Sequence, residues 1–205
     1  MDDLALVDDF IFTSNIIPEY LCDSLICSIK DREDWSPHDW TREDKGDNSV
    51  PVYMDEPHPD DLHGKRECSV LSGEGLKDMP IFNKCLKKSL DEYMETYMNQ
   101  IRREDYRNVQ TIVSPKFNRY EEGCQMQIHV DHIKTLFDGK YRGIPVLSIV
   151  GLISDAFDGG EFYCRGKEIP LNKGDILIFP SCFLYPHGVK RVRSGVRYSL
   201  VSWAF

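Results

Sequence analysis

The sequence predicts a mainly β, α+β protein. Two amphipathic helices lead into, and pack on, a β-sandwich of about eight strands, for which a jelly roll is the best description. Three observations carry this. Beyond Asn108, short runs rich in Val, Ile, Phe and Tyr alternate with Gly, Pro and Asp turns, the spacing of an all-β sandwich or barrel. Ahead of Asn108, two stretches repeat apolar residues at the interval of a helix face. The 205 residues, 41% hydrophobic and 11% aromatic, suffice for a real core and are too apolar for a disordered chain.

In order along the chain, LALVDDFIF reads as a short strand. In IIPEYLCDSLICSIKD, Pro18 suits a first helical turn, and Leu21, Cys22, Leu25, Ile26 and Ile29 fall on one face. From Glu33 to Glu67 the chain turns polar and Pro-rich, too long for an ordinary connection, which predicts a mobile or functional loop. A second helix is predicted from Pro80 to Arg102, with the stripe Phe82, Cys85, Leu86, Leu90, Tyr93, Met94, Tyr97 and Ile101. The strand-like runs follow: TIVSPKFNRY, QMQIHV, PVLSIVGLIS, GEFYC, KEIPL, DILIFP, YPHGVK and VRYSLVSWAF. The expected organisation is one domain over 1–205, with 1–107 as helical support carrying the loop at 33–67, and 108–205 as the jelly-roll core.

A net charge of -9 argues against a protein that coats nucleic acid, because a phosphate backbone demands a basic surface. No stretch approaches the roughly eighteen apolar residues of a membrane span, and the acidic start MDDLALVDDF is unlike a secretory signal. Seven cysteines, an odd number without a Cys-x-x-Cys pair, suit free thiols in a reducing cytoplasm. A cytoplasmic location without membrane or nucleic-acid partners is the expectation.

The chemistry concentrates in QIHVDHI, residues 127–133. On a strand, residues i and i+2 share a face, so His129 and Asp131 point together while His132 points away. A third ligand must come from elsewhere, and His187, opening a strand after DILIFP, could reach the pair from across the barrel. Two histidines and one carboxylate make the facial triad of non-haem Fe(II) oxygenases; zinc is the rival occupant. Ten residues after His187 stands Arg197, with Ser199 on the same face. A guanidinium beside a hydroxyl suits a carboxylate, which an oxygenase with a dicarboxylate co-substrate needs and a metalloprotease does not.

His129-x-Asp131, His187 and Arg197, with DGGEF between, resemble the Fe(II)/2-oxoglutarate-dependent dioxygenases, and among them the prolyl 4-hydroxylase-like branch. The likeness is detailed over 117–205 and looser at the opening. It implies a double-stranded β-helix in which His129, Asp131 and His187 hold Fe(II) and Arg197 binds the far carboxylate of 2-oxoglutarate. Tyr120 matches a tyrosine that contacts the co-substrate, and Gly159-Gly160-Glu161 matches a turn-and-strand motif. Where some relatives place a tyrosine ahead of that turn, Ser148-Ile149-Val150-Gly151 has none, so that either Ser199 substitutes for it or the co-substrate binds more weakly.

The activity implied is O2-dependent hydroxylation of a C–H bond, coupled to conversion of 2-oxoglutarate to succinate and CO2, with ascorbate as a possible reductant. Retention of Asp131 favours hydroxylation over halogenation. Peptidyl proline is the favoured substrate. A free amino acid or small metabolite is the alternative, and a jelly-roll metal-binding module without activity is the non-enzyme reading.

Other residues receive plainer expectations. His132 is a surface residue or lies behind the ligands, and His38, His58 and His63 are solvated in the polar loop. Lys190, Arg191 and Arg193 form a solvated strand edge, while Cys124, Cys164 and Cys182 are small core or edge residues. Trp35, Trp40 and Tyr53 suggest a lid.

Overall fold

A computed structural model describes residues 10–38, 66–97, 109, 111–131 and 145–205. The first half contains β1 (Phe12–Asn15), α1 (Glu19–Ile29), β2 (Ser36–Pro37), β3 (Arg66–Glu67), β4 (Ser69–Ser72) and α2 (Met79–Tyr97). Then come β5 (Lys116–Tyr120), β6 (Cys124–His129), β7 (Leu147–Leu152), β8 (Phe157–Gly159) and β9 (Phe162–Cys164). The chain closes with β10 (Lys167–Ile169), β11 (Asp175–Pro180), β12 (His187–Val189), β13 (Val192–Gly195) and β14 (Arg197–Ala204).

Seven strands form one sheet in the order β1-β11-β7-β14-β5-β4-β2, and five form a second in the order β10-β9-β12-β6-β3. The β13-β8 ribbon stands beside them. The run DILIFP shows why the strands lie where they do. Ile176 and Ile178 point to a cluster shared with both helices, including Leu21, Leu25, Phe82 and Leu86. Leu177 and Phe179, on the opposite face, join a cluster with Cys124, Met126, Phe162 and Val189 of the five-stranded sheet. A strand covered on both faces needs no polar alternation. The helices therefore pack on one sheet, whose other face meets the second sheet across the inner core.

Both helical stripes are buried as their spacing predicts, save that Ile26, Cys85 and Met94 lie half-covered at the margins. Ile101 and the predicted end of the second helix fall outside the described residues, as do Trp40, Tyr53, His58, His63 and His132. The first strand lies later than LALVDDFIF suggests, because Phe12 to Asn15 are the residues that pair with β11, from Phe12↔Ile178 to Asn15↔Asp175. The strand count exceeds the expected eight. Ser36–Pro37 and Arg66–Glu67, at the two ends of the polar stretch, pair with β4 and β6, and β4, β8 and β13 were also unforeseen. Elements of two to four residues are too short to show a period.

Candidate metal and co-substrate site

The strand β6 begins with the alternation of a half-buried strand: Cys124 and Met126 are buried and face the inner core. Unbroken, that period would turn Ile128 inward, yet Ile128 is 52% exposed. The ladder with β12 explains the switch. His187 pairs with His129 and Val189 with Met126, so β6 spends one residue more than β12 over the same interval. This β-bulge reverses the facing of the strand, the kind of re-aiming that bulges perform beside active sites. Met126, His129 and Asp131 consequently line one cavity of about 540 Å3.

His187 therefore reaches His129 from the neighbouring strand of the same sheet, not from across the barrel as the sequence suggests. The two rings lie 4.3 Å apart between centroids. His129 Nδ1 is 2.8 Å from the carbonyl oxygen of Gln127, and His187 Nδ1 is 3.0 Å from that of Tyr185. Each carbonyl can only accept, so Nδ1 carries the proton and Nε2 keeps its lone pair. Asp131 lies just past the strand, with Oδ1 3.5 Å from His129 Nε2 and Oδ2 3.6 Å from His187 Nε2. The ligand atoms of all three residues fall within 4.8 Å of one another. Cis ligands about 2.1 Å from an octahedral cation stand roughly 3 Å apart, so this donor set fits a metal ion with little movement.

The electrostatics agree. His187 is packed against Phe179 and Phe162, whose ring centroids lie 4.7 and 5.8 Å from its own. Burial there lowers its pKa, against the opposing pull of Asp131, and favours the neutral, ligating form. Burial also works against the Asp131 charge, but the adjoining His129 and His187 and a hydrogen bond from Ser148 outweigh it. The carboxyl stays well below its usual range.

Arg197 opens β14, whose alternate residues Arg197, Ser199, Val201 and Trp203 line the same cavity while Tyr198, Leu200 and Ala204 face the helices. Its side chain is 1% exposed. Nη1 donates to Ser199 Oγ at 2.9 Å, the guanidinium carbon lies 5.2 Å from the Tyr120 ring centroid, and Nε has no hydrogen-bond partner. Among the described residues no carboxylate pairs with it, and burial lowers its pKa. Tyr120 is buried beside it and accepts a hydrogen bond at 3.3 Å from Asn118, another cavity residue. All six residues singled out in the sequence thus line one cavity.

The glycine motif has a role beyond its turn. Gly160 has φ +63°, and a Cβ there would lie 2.8 Å from Arg197 Cδ. Asp158 and Glu161 flank this turn and hold Arg193, with nitrogen–oxygen distances of 2.8 to 3.1 Å. Arg193 and Lys190, the latter 3.2 Å from Glu168, are therefore paired rather than merely solvated. His38 lines the cavity and is half-buried, not a solvated loop residue. Cys124 and Cys164 are buried and Cys182 half-buried, as expected.

Sequence reading missed Asn118, which the period of two from Tyr120 would have offered. It also missed Ser148 and Ser181, for which no local signal exists.

The 2OG-Fe(II) oxygenase superfamily profile matches residues 115–205, the stretch that carries all six residues. Residues 115–205 are by this match similar to the 2OG-Fe(II) oxygenase superfamily. Fe(II), 2-oxoglutarate and O2 are the metal and co-substrates that this likeness implies, and the triad fits the first of them. A PKHD-type hydroxylase of Paraburkholderia xenovorans is 32% identical over 98 residues, 45% of this chain and 42% of that protein. The chain thus matches less than half the length of that relative.

Solved structures extend the likeness of the oxygenase fold to nearly the whole chain. The viral collagen prolyl hydroxylase of Paramecium bursaria Chlorella virus-1, in its 2-oxoglutarate complex, superposes with a TM-score of 0.61 at 15% identity, covering 96% of each chain. A prolyl hydroxylase of Trichoplax adhaerens, in complex with a hypoxia inducible factor peptide fragment, gives 0.61 at 13% identity over 97% of this chain and 84% of the other. The fold is accordingly the double-stranded β-helix expected. No helix among the described residues is long and apolar enough to cross a membrane.

Proposed function

We propose that this chain is an Fe(II)- and 2-oxoglutarate-dependent dioxygenase that hydroxylates a peptidyl residue, proline by preference, and releases succinate and CO2. The observation that carries the reading is Arg197: a fully buried guanidinium, without a carboxylate partner among the described residues, in the cavity that also holds the triad. A buried unpaired charge is costly, and an anionic ligand would relieve that cost.

His129, Asp131 and His187 would hold Fe(II) and leave coordination positions for co-substrates. Bound there, the metal supplies the activation of O2 that a side chain cannot, with ascorbate as the reductant that keeps it ferrous. The chain's own residues bind, orient and exclude water. Arg197 and Ser199 take the far carboxylate of 2-oxoglutarate, with Tyr120 closing one side. Met126, Val150, Phe162 and Val189 form apolar walls that keep water from the reacting groups.

The peptidyl substrate is supported by the two prolyl hydroxylases of the same fold, one solved with a peptide. The cavity also runs out to Pro37, Trp203 and Phe205, whose apolar surfaces suit a prolyl ring. A free amino acid is the second reading, favoured by a cavity volume within the range of small-molecule sites.

Anaerobic titration with Fe(II) and 2-oxoglutarate tests the site. A weak visible charge-transfer band is expected in the wild type and is expected to fade in Arg197→Ala. No band at saturating ligand would leave zinc binding without turnover. Succinate formation stimulated by proline-containing peptides, and not by free amino acids, would separate the two substrates.

A further inference from the structure

Asp131 is the one member of the triad that no strand holds. It lies two residues past the end of β6. A carboxylate can rotate about its Cβ–Cγ bond unless something fixes it. The fixing group is Ser148, on β7 in the opposite sheet, whose Oγ lies 2.6 Å from Asp131 Oδ2. Ser148 Oγ is in turn 2.8 Å from Ser181 Oγ, just past β11. Both serines are 1% exposed.

The direction of this chain follows from the donors available. An ionised carboxylate only accepts, so Ser148 gives its single proton to Asp131. Ser148 must then accept from Ser181. The order is Ser181 to Ser148 to Asp131, with each hydroxyl aligned by the next. Ser148 is itself fixed, because its residue pairs with Phe179 of β11 on one side and Trp203 of β14 on the other. The seven-stranded sheet thus holds the carboxylate whose histidine partners stand on the five-stranded sheet.

We propose that Ser148, aligned by Ser181, is a positioning residue that orients Asp131 for the metal and sets how tightly the triad retains it. This inference rests on the reading of His129, Asp131 and His187 as Fe(II) ligands. Groups that orient metal ligands typically account for 10- to 100-fold in metal affinity.

The test is the Fe(II) dissociation constant, measured anaerobically, for the wild type, Ser148→Ala, Ser181→Ala and Ser202→Ala. Ser202 is the matched control: it is fully buried on the seven-stranded sheet and bonds the Val113 carbonyl at 2.6 Å, but touches none of the ligands. The expected result is a dissociation constant raised roughly 10- to 100-fold by Ser148→Ala, a smaller rise for Ser181→Ala, and none for Ser202→Ala. Thermal unfolding of the metal-free proteins should show both Ser148→Ala and Ser202→Ala folded. Unchanged affinity in Ser148→Ala, or an equal loss in Ser202→Ala, would overturn the proposal and leave the metal site standing. A wild type that binds no Fe(II) would overturn the site and the proposal together.

Discussion

His187 stands opposite His129 on the neighbouring strand, and each ring has its Nδ1 against the carbonyl oxygen two residues upstream. The pair therefore presents two Nε2 atoms with the same tautomer, beside the one carboxylate of Asp131. Substituting Ala at any of the three leaves two donors. His129→Ala, Asp131→Ala and His187→Ala should each lose Fe(II) retention and turnover while far-UV circular dichroism stays that of the wild type. Full turnover in His129→Ala and Asp131→Ala would remove the assignment.

Arg197 sets function against stability. Its guanidinium is buried with Ser199 as its single hydrogen-bond partner among the described residues. Hydrogen bonds to a charged group are worth about 1.5–3 kcal/mol, so Arg197→Met should weaken 2-oxoglutarate binding by roughly 10- to 150-fold. The same substitution removes an unpaired buried charge and fills the space with an apolar stem. The protein without co-substrate should therefore unfold at a higher temperature than the wild type, by roughly 1 kcal/mol or more of added stability. Calorimetry without 2-oxoglutarate checks this; a destabilised Arg197→Met protein would mean that the charge is satisfied by something other than co-substrate.

Gly160 is expected to control the placement of Arg197. In Gly160→Ala the new Cβ meets Arg197 Cδ at 2.8 Å and Val192 Cγ2 at 3.0 Å, on a backbone with φ +63°. The left-handed backbone costs about 1–2 kcal/mol for a residue with a side chain. Gly166, with φ +75° and nothing within 4 Å of its Cβ, incurs that backbone cost without the clash. Gly166→Ala should thus be destabilised but keep its KM for 2-oxoglutarate, whereas Gly160→Ala should show a raised KM. Equal KM values in the two variants would show that the turn does not position the arginine.

These relationships divide into those a sequence can display and those it cannot. The run DILIFP and the alternation Arg197, Ser199, Val201, Trp203 announce a strand buried on both faces and one with a cavity face. Burial and period are local properties. The pair His129 and Asp131 was legible for the same reason. What period alone could not place is which face of β6 is inward, because the bulge between Met126 and His129 reverses it. That bulge is defined by the register with β12, which lies far along the chain. Ser148 and Ser181 are hidden for a related reason: in PVLSIVG and FPSCF they are ordinary small residues, and only the juxtaposition of β7 with the end of β6 gives them a partner. The shortest strands, such as Ser36–Pro37, owe their pairing to β4 rather than to any pattern of their own.

Cys22 makes stability depend on alkaline pH. Its side chain is fully buried where α1 joins the core shared by both helices and the seven-stranded sheet. Burial, only partly offset by Lys173 and reinforced by Asp23 and Cys85, raises its pKa to about 11. Below the pKa of an unfolded thiol, about 8.5, both states are neutral and pH has no leverage. Above it the unfolded chain loses a proton that the folded protein keeps. The unfolded state is thereby favoured, and stability falls until the folded pKa is passed.

The limiting slope is about 1.4 kcal/mol per pH unit for one group. The Tyr198 phenol, also raised by burial, adds to the fall at the upper end. Urea denaturation at pH 8, 9, 10 and 11 should show this decline, and Cys22→Ala should flatten it between pH 9 and 10, before tyrosines contribute. The exposed Cys27 should meanwhile be alkylated at pH 8 well before Cys22. An unchanged slope in Cys22→Ala would mean that the buried thiol ionises as readily in the folded protein as in the unfolded chain.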